Sequence, residues 1–355
     1  MTPPIEPEQQ ATNPPAKRFP VALTVAIVLT VLLVGGAGGS QLYLRWARSP
    51  MEKRSFSNAS VGKPVRVAVP TGASVETVAR DLEAKRLIRS AKVFVLGAKG
   101  ATIAPGVYDF SPTESPAQIV SRLQKGDVVT VRVTFPEGFR LTQIAKRLAK
   151  NGLCDETKFL ELVTTRGDTL KADFPLPKKL EGYLFPDTYR FPLGDTETQI
   201  AQRMLDNFDR VFAEPNKGEI ARSGRSLSDI VTVAAMVERE ARVQPDRPTI
   251  AGVIYNRLQR GMRLQIDATV QYALPEHKAR LLFKDLETDS PYNTYKNVGL
   301  PMGAICCPGK PSLDAALRPG AHPFLFYVAR QDGSHVFGKT FAEHTRNIAA
   351  ERGAR

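Results

Sequence analysis

Two glutamates, Glu238 and Glu240, stand near the end of the stretch Leu227–Val243, LSDIVTVAAMVEREARV. The stretch reads as an amphipathic helix with Ser228 or Asp229 placed to cap its start. Residues two apart on a helix lie about 200° apart around its axis, so the two carboxyls cannot serve one bond together. Glu238 has Arg242 four residues on, the spacing of a solvated ion pair. Glu240 has Val233, Met236 and Val237 behind it and Val243 ahead. A carboxyl on such an apolar stripe is desolvated, which raises its pKa and lets it hold a proton at neutral pH. A general acid needs that property. A glutamate near a helix end is more often solvated or paired, however, so the rest of the chain has to decide.

A second group of residues could bind rather than react. Asp187, Thr188, Gln265, Asp267, Thr269, Asn293, Thr294 and Tyr295 recur in turns that could line one cleft, and Tyr183 belongs to the aromatic run Leu180–Tyr189. Carbohydrate clefts combine aromatic faces with amide and carboxylate groups, because sugars present both C–H faces and hydroxyls. Singly, each of these residues also fits a helix cap or a turn.

The elements that must position these groups form an α+β pattern. Val65–Ile88 (VRVAVPTGASVETVARDLEAKRLI) and Val131–Cys154 (VRVTFPEGFRLTQIAKRLAKNGLC) align without gaps as strand, turn and helix. Val75, Val78, Ala79 and Leu82 form the apolar helix face of the first copy; Leu141, Ile144, Ala145 and Leu148 form that of the second. Val107–Phe110 and Ala117–Leu123 add a strand and a helix between them. From Leu176 onward the pattern predicts helices over about 197–212 and 246–260, the latter closed by Gly261. A short strand then leads to a helix capped by Asp267. A strand over Phe324–Ala329 and a helix from Phe341 complete the chain.

Composition narrows the function classes. The net charge of +13 fits an anionic partner. Basic residues are spread along the chain without a block interleaved with aromatics, which argues against nucleic acid and leaves anionic lipid or an anionic cell-wall polymer. Cys154 and the vicinal Cys306–Cys307 have no metal-ligand spacing and the four histidines are scattered, so no metal and no cofactor is expected. The cysteines read as incidental small hydrophobes. Residues 1–18, rich in proline, read as a disordered tail. Phe19–Leu44 carries no charge and is long enough to cross a bilayer, with a cleaved signal peptide as the rival reading. Residues 45–62 read as a linker.

Six segments in order, EGYLFPDTY (181–189), VEREA (237–241), YNRLQRGMRLQIDATVQYAL (255–274), SPYNTY (290–295), GLPMGAI (299–305) and DGSHVF (332–337), resemble the endolytic murein transglycosylases, the MltG or YceG-like family. The resemblance implies a transmembrane helix at 19–44, a small LysM-like α+β module at 63–126, a second strand–helix unit and connection at 127–175, and a mixed α+β catalytic domain at 176–355. It implies a lyase in the cytoplasmic membrane, with its catalytic domain extracytoplasmic. Its reaction would cut the β-1,4 bond from N-acetylmuramic acid to N-acetylglucosamine in nascent glycan strands, leave 1,6-anhydromuramic ends and terminate elongation. The second glutamate of the family's Glu-x-Glu pair maps to Glu240. Tyr183, Asp187, Thr188, Gln265, Asp267, Thr269, Asn293 and Tyr295 are the expected substrate-binding residues, and cell-wall synthases the implied protein partners. The chain departs from the family pattern at Ala241, where threonine is common, at Ala268 in place of proline, and at Cys306–Cys307. A peptidoglycan-binding scaffold without catalysis is the rival function.

Overall fold

The structure, a computed structural model, describes residues 21–52 and 62–353. The tail expected over 1–18, the first two positions of the expected anchor and linker residues 53–61 lie outside the described residues. The chain divides into two compact units at Asp127/Val128. Among the described residues, helices combine with three separate two-stranded antiparallel sheets, so the fold class is α+β, as the sequence pattern implies.

The first unit holds α1 (Val21–Ala47), β1 (Val65–Val69), α2 (Val75–Ala84), α3 (Ala91–Gly97), β2 (Gly106–Phe110) and α4 (Pro116–Lys125). β1 and β2 pair with Val67 opposite Tyr108. Ser74, Ser90 and Ser115 cap α2, α3 and α4 through their side chains, satisfying backbone N–H groups of each first turn. Val78, Ala79 and Leu82 of α2 are buried, as are Val67 and Tyr108 of the facing strands, Phe110, Ile119 and Leu123. Among the described residues, no helix is long and apolar enough to cross a membrane.

The second unit carries β3 (Thr130–Thr134), α5 (Leu141–Lys150), α6 (Glu156–Thr165), β4 (Thr188–Pro192), α7 (Glu197–Phe208), α8 (Glu214–Arg222) and α9 (Leu227–Glu240). There follow α10 (Arg247–Gln259), α11 (Asp267–Ala273), α12 (Phe283–Leu286), α13 (Lys310–Leu317), β5 (Phe326–Ala329), β6 (His335–Gly338) and α14 (Phe341–Gly353). β3, the strand of the second repeat copy, pairs with β4, Val133 facing Tyr189. Thr188, read from sequence as a turn former, is the first residue of that strand.

α9 is the centre of this unit. Ile230 through Val237 are all buried, so the helix is enclosed on every side rather than amphipathic. α10 and α13 pack against it. Segment 182 approaches so closely that a Cβ on Gly182 (φ +95°) would stand 2.5 Å from Val231 Cγ1. Its cap is Ser226, whose side chain accepts from Asp229 N at 3.0 Å, not Ser228 or Asp229. The helix stops at Glu240, because Ala241 turns to extended φ/ψ. Glu240 is thus the last helical residue, delivered to the surface end of a buried rod.

Candidate functional site

Glu240 lines a cavity of about 570 Å³ walled by the end of α9, by α10, by residues 264–267 and by the β5–β6 hairpin. Burial pushes its carboxyl up to about 7, and the negative Asp267 acts in the same direction. The Tyr327 hydroxyl donates to Oε2 at 3.0 Å and, with Arg239 and the Ala268 backbone, pulls the other way. Burial exceeds these opposing effects. The result is a half-buried acid, open to a polar cavity, with its ionisation centred near neutrality.

Glu238 has a different environment from the one its spacing implies. It is not solvated and does not pair with Arg242. Its side chain is 8 % exposed and accepts from Ser312 Oγ at 2.7 Å and Gly309 N at 3.1 Å, with Arg247 at 3.7 Å. The α9–α13 packing turns it toward the start of α13, while Arg242 faces the cavity that Glu240 lines. The two glutamates therefore part as the helical spacing requires: one a structural anchor, one presented to the cavity.

Gln265, Asp267 and Tyr295 line the same cavity as Glu240. The Tyr295 hydroxyl donates to Asp267 Oδ1 at 2.5 Å, and both burial and Asp267 raise its pKa. Residues 262–266 form no strand, and Asp267 does not cap α11: it is that helix's first residue, with Ile266 at the cap position. Gln265 adopts φ +55°, a conformation uncommon for a residue with a side chain and often found where a site demands it.

Thr269 and Asn293 stand behind this wall. The Thr269 and Thr294 hydroxyls meet at 2.9 Å; Thr269 donates to Ile266 O at 2.7 Å and Thr294 accepts from Ile266 N at 2.9 Å. Together they fix the segment that aims Gln265 and Asp267. Asn293 is fully buried, donates to Leu286 O and Thr288 O at 2.8 Å each, and accepts from Tyr295 N at 2.9 Å. Both residues hold backbone in place, which the same polar groups do as readily as binding sugars.

The remaining candidates lie elsewhere. Tyr183 is buried, its ring 5.4 Å from that of Phe208, and lines a separate cavity of about 140 Å³ with Glu181 and Lys179. Asp187 accepts from Asn207 Nδ2 at 3.0 Å, and the Thr188 hydroxyl meets that of Thr134 at 2.7 Å. Both border a shallow hollow with Arg190, Arg203 and Arg210.

Three further cavity residues, Tyr327, Arg257 and His335, lie outside the expected substrate-binding set. Tyr327 comes from β5, and the clue available in sequence is a phenol within the apolar run Phe324–Ala329, since a buried Tyr hydroxyl needs a partner. Arg257 donates from Nε to Leu325 O and from an Nη to Leu264 O, both at 2.7 Å, which joins two walls of the cavity. His335 Nδ1 lies 2.8 Å from Asp246 Oδ2 and ties β6 to the start of α10. Cys306 and Cys307 are free and fully buried beneath α9, with Cys306 Sγ 3.4 Å from Ala235 O. Among the described residues, no cluster of three or more histidine, cysteine or acidic side chains could hold a metal.

Known proteins place this geometry in a family. The YceG-like family model matches residues 67–350. An endolytic murein transglycosylase of Bacillus subtilis is 36 % identical over 331 residues, 87 % of this chain and 89 % of that protein. One of Streptococcus pneumoniae is 29 % identical, the match covering 92 % of this chain and 64 % of that longer protein. A crystal structure of a yceG-like protein of Listeria monocytogenes superposes with a TM-score of 0.55 at 35 % identity, covering 80 % of this chain and 99 % of that one. With the matched region running through both strand–helix copies, the Glu240 cavity and the C-terminal helix, the chain belongs to the YceG-like family.

Proposed function

We propose that this protein is a lytic transglycosylase that cuts peptidoglycan glycan strands, with Glu240 as its single catalytic acid and base. The observation that carries this reading is a carboxyl with a pKa of about 7 opening on a cavity lined by amide, carboxylate and phenol groups. The relatives named endolytic murein transglycosylases support the substrate class.

Tyr327 donates to Oε2, so the proton resides on the other oxygen of the carboxyl. That oxygen protonates the glycosidic oxygen as the bond to C1 of the muramic residue breaks. The resulting carboxylate takes the proton of the muramic 6-hydroxyl as its oxygen attacks C1, closing the anhydro ring and restoring the acid. Ordinary glycosidases need a second carboxylate to handle water or to act as nucleophile. Here the nucleophile is part of the substrate, so one tuned carboxyl suffices. Gln265, Asp267 and Tyr295 supply hydrogen-bonding groups for the sugars, and Asp267 also keeps the neutral form of Glu240 favoured.

The reading extends to the first unit and to location. The charge-free run Phe19–Leu44 supports a membrane anchor on sequence grounds, although no helix among the described residues is long and apolar enough to cross a membrane, and a peptidoglycan substrate puts the second unit on the extracytoplasmic side. Two helices between paired strands, β1-α2-α3-β2, support a LysM-like peptidoglycan-binding module. Glycan strands are then the partner on both counts, and cell-wall synthases the neighbours whose product is cut.

The test is digestion of purified uncrosslinked glycan with mass spectrometry of the products; anhydro ends are expected, and reducing ends alone would refute the reaction. The rate should follow the protonated fraction of Glu240. It is therefore expected to fall as pH rises through about 7. Tyr327→Phe removes a donor that favours the carboxylate, so the falling limb should move to higher pH while the maximal rate drops about tenfold. A pH–rate profile of both proteins checks the sign; a limb that moves to lower pH would contradict the role given to Tyr327.

A further inference from the structure

A second hollow, of about 530 Å³, adjoins the catalytic cavity. Tyr295 lines both, and Arg263 of the second hollow immediately precedes the cavity residues Leu264–Asp267. Its wall is chemically unlike the first. Arg263, Lys284 and Lys296 contribute three cations, Glu287 is the one carboxylate lining it, and Phe283 is 91 % exposed.

The exposed phenylalanine is held out by a fixed frame. Asp285, the buried residue of α12, accepts from Lys278 Nζ at 2.5 Å and from Leu282 N at 2.8 Å. Asn293 clamps Leu286 O and Thr288 O from the other side. With its neighbour Leu282 also 51 % exposed, the ring puts apolar surface beside the three cations. Sugar hydroxyls require acceptors as well as donors, and the catalytic cavity has both. This second wall is weighted toward donors that are charged, which matches carboxylates.

We infer that this shelf binds the carboxylate-bearing peptide side chain of the glycan strand, next to the bond being cut. Arg263, Lys284 and Lys296 take its carboxylates and Phe283 covers its alkyl portions. The inference rests on the glycan reading of the Glu240 cavity and adds a peptide specificity to it. Lys296 already approaches the fully exposed Asp289 at 3.9 Å, a weak pairing that a peptide carboxylate can replace.

The experiment compares strands that keep their peptides with the same strands stripped by an amidase. Rates of anhydro-end formation are measured for the intact protein and for the combined variant Arg263→Ala, Lys284→Ala, Lys296→Ala. The variant is expected to lose about tenfold in kcat/KM on peptide-bearing strands, the sum of three exposed charge contacts, and to match the intact protein on stripped strands. Equal rates on stripped strands also show that the variant is folded. Equal losses on both substrates, or no loss on either, would overturn the shelf. An intact protein that makes anhydro ends from neither substrate would defeat the glycan reading itself, and the shelf with it.

Discussion

Glu240→Gln is expected to lower the rate of anhydro-end formation by about 10²–10⁴-fold while leaving glycan binding within a few-fold of the intact protein. The amide keeps the size and hydrogen-bonding reach of the side chain but has no proton to give and no carboxylate to take one back. The same change should leave the protein folded and more stable at alkaline pH. The sign follows from the raised pKa. The folded state holds this proton up to about 7, whereas the unfolded chain releases it near the ordinary glutamate value. Stability from this group is therefore complete below that ordinary value and is lost as pH rises through about 7. Gln carries no such loss, so at pH 8 the variant should melt higher, by about 1–3 kcal/mol of stability. A variant that loses activity together with stability at pH 8 would mean a structural role for Glu240 instead.

Gly252→Ala should be the most damaging of the helix glycine substitutions. Replacing glycine by alanine inside a helix ordinarily stabilises by about 0.5–1 kcal/mol. At Gly252, in α10, the added methyl would stand 2.4 Å from Gly320 O and 2.5 Å from His322 Nε2. The first neighbour is backbone, and it is pinned: Gly320 N donates to Pro248 O at 2.8 Å, and Asn256 Nδ2 donates to His322 O at 2.7 Å. Neither side can give, so the expected cost is about 2–3 kcal/mol, or roughly 5–10 °C in Tm. Since α10 also carries Arg257, which holds Leu325 O and Leu264 O, the displacement reaches both walls of the cavity and activity should fall with stability. Gly218, inside α8, is the contrast. Its added methyl would meet only the Arg222 guanidinium end at 3.4 Å, so Gly218→Ala should gain about 0.5–1 kcal/mol. Thermal melts of the two variants check the opposite signs.

What could be read from sequence follows the range of the interactions involved. Glu240 was legible because its apolar neighbours lie within two helical turns. The same local logic misled at Glu238, whose true partners, Ser312 and Gly309, come from a distant helix start. β4 pairs with β3 across more than fifty residues, so Asp187 and Thr188 gave only their turn-forming character. Thr269 and Asn293 were legible as important polar residues, yet a hydroxyl or amide that holds a loop looks identical in sequence to one that holds a sugar. Tyr327 shows the opposite failure: an apolar strand hid the hydroxyl that donates to the acid. The α+β class, the two strand–helix copies and the family were legible because periodicity and ordered motifs need no knowledge of long-range contacts.

Titration of the Glu240 carboxyl itself decides the matter most directly. With carboxyl-¹³C glutamate incorporated throughout, the resonance absent from Glu240→Gln identifies the group, and its shift against pH gives its ionisation. A midpoint near 7 is expected. A midpoint at the ordinary glutamate value, near 4.5, would mean that position 240 is ionised at neutral pH and cannot be the acid.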